Sequence, residues 1–393
     1  MKYNFDKIIN RSGTNTVKYG YLDELFGRTD LLPLWVADLD FETAPFITAA
    51  LKKRLDHSLF GYTCTPEELW TAIINWVESH HQWKVEREWL SFIPGIVKGI
   101  GMAVNVFVKE DEKVIIQPPV YHPFRLTPEG NNREVVFNPL ILDEDTGQYS
   151  MNLEQLEALA KDPKCRMLIL SVPHNPGGII WDKETLTRVA EICYDNDMLV
   201  ISDEIHCDMA LFGNKHIPFA TVSEKAAQCS ISFGSPSKTF NIAGIVSSYS
   251  VVPNKAIREK FYSWMTANEL DAPNIFSPIA TIAAFKYGDE WRQQMLKYVE
   301  DNILFVEEYL QQHIPGIKVM RPQASFLVWL NCRGLNLDHD ALNDLFVNKA
   351  HLALNDGEMF GKEGAGFMRL NVGTPREVLR EALDRLAEAL AEG

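Results

Sequence analysis

The sequence has no apolar run near the roughly 20 residues that a membrane-spanning helix requires. Its opening stretch, MKYNFDKIINRSGTNTVKYG, holds no apolar core of signal-peptide length. Both absences predict a cytoplasmic protein with no membrane partner. Cysteine is sparse. The six thiols, at 64, 165, 193, 207, 229 and 332, form no CxxC pair and fit neither a zinc nor a disulfide framework. They are expected to be reduced and mostly buried. Basic residues are in short supply, 38 Lys and Arg against 53 Asp and Glu, for a net charge of −15. That balance argues against nucleic acid as a partner. It leaves room for an anionic ligand in a locally basic pocket. Internal repeats and low-complexity linkers are missing too.

What is present is an alternation of short apolar runs and amphipathic stretches. Hydrophobic residues make up 46% and charged residues 23% of 393 residues, the balance of a globular chain long enough for two or three domains. KVIIQ (113–117), MLILSV (167–172), MLVISDE (198–204) and CSISFG (229–234) read as buried strands. NLEQLEALAK (152–161) carries leucines three apart. DKETLTRVAEICYDND (182–197) opens on an aspartate cap candidate. Strands alternating with helices predict an α/β three-layer sandwich, a mostly parallel central sheet covered on both faces.

The last third differs. A long amphipathic helix over 290–313 is followed by FLVWLN (326–331), FMRLNVG (367–373) and a last helix from about Arg376. These predict a smaller α+β domain. The first forty or so residues lack a core of their own and are expected to pack with it. Residues 48–288 then form the large domain, and 1–47 with 289–393 the small one.

In an open α/β sheet, ligands bind beyond the carboxyl ends of the strands. PPVYHPF places Tyr121 there, PHNPGG places Asn175, SDEIH places Asp203 and His206, and SPSK places Ser235, Ser237 and Lys238. Lys238 sits in a short turn behind two hydroxyls. Hydroxyls and turn amides suit a phosphate. A phosphate beside a reactive amine points to pyridoxal phosphate held as a Schiff base, the setting in which a lysine has its pKa lowered. Asp203 would keep the pyridine nitrogen protonated, or else cap the next helix. Asn175 would bond the ring oxygen, although turn chemistry alone explains an asparagine before PGG. Tyr121 would stack on the ring, and is equally accounted for as a half-buried tyrosine.

The glycine-rich PGIVKGIGMAV (94–104) does not follow the dinucleotide spacing. The amides near Ile96 and Val97 are a second place for the phosphate. Arg369, inside an apolar strand run, needs an anion, either a substrate α-carboxylate or an internal acid. The cluster DEIHCD (203–208) offers metal-ligand types. Strand alternation would send Asp203, Ile205 and Cys207 to one side and Glu204, His206 and Asp208 to the other, splitting it. The pair at 80–81 sits on an apparent polar helix end. No metal is expected.

Taken together, PGIVKG, VYHPF, PHNPGG, SDEIH, SPSKTFNIAG and MRLNVG, in that order, resemble the aspartate-aminotransferase fold of pyridoxal-phosphate enzymes. The likeness spans nearly the whole chain. LPLWVADLDFETAP (32–45), FGYT (60–63) and SDEIHCDM look like the MalY/PatB family of carbon–sulfur β-lyases. The resemblance implies Lys238 as the Schiff-base lysine and Asp203 as the pyridinium partner. It implies Asn175 as the ring-oxygen partner and Tyr121 as the stacking ring. His206 stands where many aminotransferases have a tyrosine. Ser235 and Ser237 would hold phosphate with the amides of Ile96 and Val97, and Arg369 the substrate carboxylate. Tyr62 matches a tyrosine that reaches the neighbouring subunit's phosphate, which implies a homodimer with shared active sites. SVPHNP replaces the commoner CNPHNP, and ASFLVWLN (324–331) the usual GTYL.W segment, changes that touch no catalytic group.

The implied reaction is cleavage of cystathionine, cysteine or S-substituted cysteines to a thiol, pyruvate and ammonia. Lys238 takes the Cα proton as general base. An aminotransferase would use the same Lys238 and Asp203, so those residues do not choose between the two. A regulatory protein that keeps the cofactor fold, and a metalloenzyme centred on 203–208, are weaker readings.

Overall fold

The structure, a computed structural model, describes residues 2–144 and 146–392. Its centre is a seven-stranded sheet: β1 (Leu90–Ile93), β2 (Lys113–Ile116), β3 (Glu134–Phe137), β4 (Cys165–Ser171), β5 (Leu199–Asp203), β6 (Ser230–Gly234) and β7 (Ser248–Val251). The spatial order is β1-β7-β6-β5-β4-β2-β3. From β6 through β5, β4 and β2 to β3 every pair is parallel. Only β7 runs against its neighbours β1 and β6. The four runs read as buried strands are β2, β4, β5 and β6.

Side-chain alternation explains the layers. Met167 and Ile169 of β4, with Leu199 and Ile201 of β5, face a core that includes Ile100, Ala103 and Val104 of the helix Ile96–Phe107. Leu168 and Leu170 of β4, with Val200 of β5, face the opposite core. That core is closed by Leu156 of the helix Leu153–Ala160 and by Leu186, Val189 and Ala190 of the helix Lys183–Asp195. Strands buried on both faces read as unbroken apolar runs. Asp182 caps its helix as expected, accepting from the Thr185 amide at 2.8 Å, and Asn152 also proves to be a cap, accepting from the Gln155 amide at 3.0 Å.

A second, antiparallel sheet contains β8 (Lys318–Met320), β9 (Leu327–Asn331), β10 (Asn355–Asp356) and β11 (Phe367–Asn371), in the order β8-β9-β11-β10. The long helix Asp289–His313 and the last helix, Arg376–Glu392, share its core through Val299, Ile303, Leu383 and Leu386. Phe5 packs edge-on to Phe41 and Trp291, at 5.0 and 5.6 Å between ring centroids. Leu32–Pro33 pairs in parallel with Leu352–Ala353.

One expectation is corrected. Strand alternation does not continue through 203–208, because β5 ends at Asp203 and a 3-10 turn occupies Cys207–Met209. Asp203 and His206 therefore face the same cavity. Cys207 and Asp208 stay together, and their ligand atoms lie with that of His81 within 4.8 Å of one another. The pair at 80–81 does end the helix Glu67–His81, but His81 points inward. Its Nε2 lies 2.8 Å from Asp208 Oδ1, and Trp76 Nε1 donates to that same oxygen at 2.9 Å. Burial pushes the Cys207 thiol well up, which keeps it protonated and a poor metal ligand.

Candidate active site

A cavity of about 300 Å³ opens beyond the carboxyl ends of β4 and β5. Ser171 and Asp203, the last residues of those strands, are paired in register and both line it. The turn after β6 adds Ser237 and Lys238. Tyr121, Asn175 and His206 line it too, as do Ile96 and Val97, which begin a helix.

Lys238 is buried, and its Nζ donates to the Ala37 carbonyl at 2.7 Å. Burial, then the charge of Arg369, lower its pKa to about 8, against the pull of Asp38 and Asp203. Asp203 is shifted the other way. Burial raises its pKa to about 7, although the Ile205 amide bonds its Oδ1 at 3.1 Å and Lys238 adds attraction. A carboxylate in an apolar wall, with only an amide bonded to it, lacks a compensating cation. His206 is held neutral, its pKa pushed to about 3 by burial, Lys238 and Arg369, and its Nδ1 has no partner.

Gly95, also on the cavity wall, precedes the helix Ile96–Phe107 with φ of 120°, a conformation that side chains disfavour. The first amides of that helix have no acceptor within it. Together with the Ser237 hydroxyl they make an anion-binding end. A buried acid, an anion site and an amine of depressed pKa on the wall of one cavity fit pyridoxal phosphate. Asp203 would meet its ring nitrogen, Lys238 its aldehyde carbon, and Ser237 with the amides of Ile96 and Val97 its phosphate.

Not every expected residue lies on the wall. Ser235 sits behind it, its hydroxyl 2.8 Å from Ser237 Oγ and 2.6 Å from the Ser247 carbonyl, so it orients Ser237. Arg369 is joined through Asn175, whose Oδ1 accepts from Nη1 at 3.0 Å. Its other nitrogen Nη2 donates to Asn355 Oδ1 at 2.5 Å and to the Trp35 carbonyl at 3.1 Å. Burial lowers the Arg369 pKa only to about 10, so it stays a cation at neutral pH. With no carboxylate among the described residues bonded to it, its charge is available to a ligand. Tyr62 lies fully exposed, far from burial, in a stretch without regular structure.

Sequence reasoning missed Ala37, Ser171, Ser247 and Asn355. Ala37 could not be found, since it acts through a backbone carbonyl that any residue supplies. Ser171 was hidden as the end of an apolar strand. Asn355 leaves no pattern, because it meets Arg369 only through the pairing of β10 with β11.

Comparison with known proteins adds three findings. The model of the family described as aminotransferase class I and II matches residues 29–386. The chain is 41% identical over 388 residues to cystathionine beta-lyase PatB of Bacillus subtilis (strain 168), covering 99% of this chain and 100% of the relative. Two solved structures superpose with a TM-score of 0.96 each. One is a PLP-bound putative aminotransferase from Clostridium difficile 630, 38% identical, covering 99% of this chain and 100% of that one. The other is cystalysin from Treponema denticola, which contains pyridoxal 5′-phosphate, 32% identical over 100% of both chains.

Proposed function

The chain belongs to the class I and II aminotransferase family, within its MalY/PatB branch, and from that premise we propose how its residues cleave a carbon–sulfur bond. It is a pyridoxal-phosphate-dependent carbon–sulfur β-lyase of the cystathionine β-lyase type. The overall reaction takes an S-substituted cysteine and one water to a thiol, pyruvate and ammonium. The Cβ–S bond breaks, and sulfur leaves with its electron pair and gains a proton. Pyridoxal phosphate, when bound, supplies a sink for the electron pair left on Cα.

The chain does the rest. Arg369 grips the substrate α-carboxylate with its planar fork. Asn175, anchored by Arg369 through Oδ1, would offer Nδ2 to the ring oxygen. Asp203 holds a positive charge on the ring nitrogen, which answers the cost of its own burial. Lys238, with a pKa near 8, would hold the cofactor's aldehyde carbon and, once free, would accept the Cα proton as a neutral base. Tyr121 would stack on the ring, and the neutral His206 lines the same cavity. The convergence of Lys238 and Asp203 on one cavity with opposite pKa shifts supports the cofactor and the Cα proton transfer, and the likeness over the whole chain to a cystathionine beta-lyase supports elimination over transamination.

We further infer a homodimer. Leu59, Phe60 and Tyr62 are exposed side by side. A partner subunit would cover them and carry Tyr62 toward the neighbouring phosphate site. We read 48–288 as the cofactor-binding domain and 1–47 with 289–393 as the small domain. The end residues Met1 and Gly393 of that division, and Asp145 of the large domain, lie outside the described residues. No helix among the described residues is long and apolar enough to cross a membrane, in keeping with the cytoplasmic location we propose.

The deciding experiment is pyruvate release from L-cystathionine by the loaded protein without any keto acid. Sustained turnover is expected. No pyruvate, with conversion of the cofactor to its amine form, would make the protein a transaminase instead.

A further inference from the structure

Arg369 is held in place by one short segment. β10 pairs with β11 so that Asn355 stands opposite Arg369. Asn355 Oδ1 accepts from Arg369 Nη2 at 2.5 Å. Further along the same segment, Phe360 lies under the guanidinium at 4.9 Å. Between the two, a 3-10 turn over Gly357–Phe360 folds Met359 back onto Asn355. The Met359 sulfur accepts from Asn355 Nδ2 at 3.5 Å, and Nδ2 has no other acceptor among the described residues. One buried amide is thus shared between the arginine and a thioether.

The thioether is unusual in its exposure. Of the eleven methionines, Met1 lies outside the described residues and nine are buried, while Met359 is 41% exposed. The one methionine among the described residues that a solute in water reaches is therefore the one bonded to an anchor of Arg369. A thioether reacts with a hydroperoxide. A sulfur lone pair attacks one peroxide oxygen, the S–O bond forms as the O–O bond breaks, and with hydrogen peroxide the other oxygen leaves as water. Sulfur is oxidised by two electrons and the peroxide is reduced by two. The product is polar where the parent was a soft, weak acceptor.

Resting on the reading of Arg369 as the carboxylate grip of the lyase, we propose that Met359 is an oxidative modification site, where a hydroperoxide converts the thioether to the sulfoxide and so weakens substrate binding through Asn355 and Arg369. The new oxygen has no room between Sδ and Nδ2, which are already in contact. If it stays, it pushes the Asn355 amide off Arg369. If it turns out to water, Nδ2 is left buried without an acceptor, and the amide rotates to find one. Either way the guanidinium loses a fixed partner. The loss falls on carboxylate binding and leaves Lys238 and its surroundings alone. The exposed sulfoxide also stays open to reduction back to the thioether.

The test treats the holoenzyme with hydrogen peroxide and removes the peroxide before assay. It is run in a Cys64→Ser background, since Cys64 is the exposed thiol among the described residues. Peptide mass measurement is expected to place one added oxygen on Met359. The KM for L-cystathionine is expected to rise about fivefold or more, with kcat within about twofold, and to return after treatment with methionine sulfoxide reductases. The KM of Met359→Leu should not move under the same treatment. Met359→Gln, whose amide oxygen stands in for the sulfoxide oxygen, should show the raised KM without peroxide. Oxygen on Met359 with an unmoved KM, an equal rise in Met359→Leu, or oxidation confined to other residues would each overturn the proposal while leaving the lyase reading intact. Absence of pyruvate from the untreated wild-type protein would instead sink the lyase reading on which the proposal rests.

Discussion

Lys238 donates from Nζ to the carbonyl of Ala37, 2.7 Å away across 201 positions of sequence. The neighbouring carbonyls are used in the same way. Trp35 accepts from Arg369, and Val36 and Asp38 accept from Asn371. One extended segment thus registers the lysine against the arginine. The segment is itself clamped by charge. Lys18, completely buried, lies 3.0 Å from both Asp38 and Asp40, and Arg11 closes the set.

The clamp can be loosened from a distance. Lys18→Met leaves Asp38 and Asp40 with Arg11 alone. Removing one partner of a largely buried pair is expected to cost about 3 kcal/mol. A lower unfolding midpoint in denaturant would show it. If the clamp positions Lys238 through Ala37, the same variant also captures pyridoxal phosphate more slowly. Lost stability with unchanged capture would separate the clamp from the lysine.

Cofactor capture should depend on pH. The attacking species is the neutral amine, and the Lys238 pKa is lowered to about 8. The capture rate by cofactor-free protein is expected to rise through about pH 8 and level off above it, well short of the range of an ordinary lysine. Stopped-flow absorbance reads this directly. Lys238→Ala should lose the covalent absorbance and lower pyruvate formation by about a thousandfold or more. A covalent signal in that variant would place the Schiff-base lysine elsewhere.

Asp203 should weaken the cofactor-free fold at neutral pH. Its folded pKa, about 7, lies above its ordinary value of 3.8. The folded state then binds more protons than the unfolded one between those values, so stability falls as pH rises through that window. Below it the penalty is absent, and above it the penalty is complete. At ~1.4 kcal/mol per pKa unit the full penalty is on the order of 4–5 kcal/mol. Asp203→Asn should therefore stabilise the cofactor-free protein at pH 8, as thermal melts would report, while activity drops. A variant less stable at pH 8 would refute the uncompensated acid.

Tyr62→Ala tests the shared site. If Tyr62 completes the phosphate end of a neighbouring subunit, the variant should bind pyridoxal phosphate more weakly by about tenfold, the worth of one good hydrogen bond to a charged group. Light scattering should still show a dimer. Unchanged affinity, or a monomeric wild type, would remove Tyr62 from the site.

Much of this was legible in the chain. The strands β2, β4, β5 and β6 were readable because two-faced burial forces unbroken apolar runs. Lys238, Asp203 and Asn175 were readable because ligands sit at the ends of such strands. The rest depended on sheet order. The splitting of DEIHCD failed because a strand's length is set by its partners, and β5 loses its pairing at Asp203. His81 was read only as part of a polar helix end, because its partner, Asp208, lies 127 positions away.

By itself the sequence determined the chemical groups, their placement at strand ends and the layered α/β class, since periodicity and turn residues are local properties. Only the tertiary structure decided which groups meet. Arg369 reaches Asn175 across 194 positions and Lys238 reaches Ala37 across 201. Contacts at that range follow from the strand order β1-β7-β6-β5-β4-β2-β3 and from the chain's return to pack over it. No local pattern encodes that order, because each strand would bury its two faces equally well beside a different neighbour.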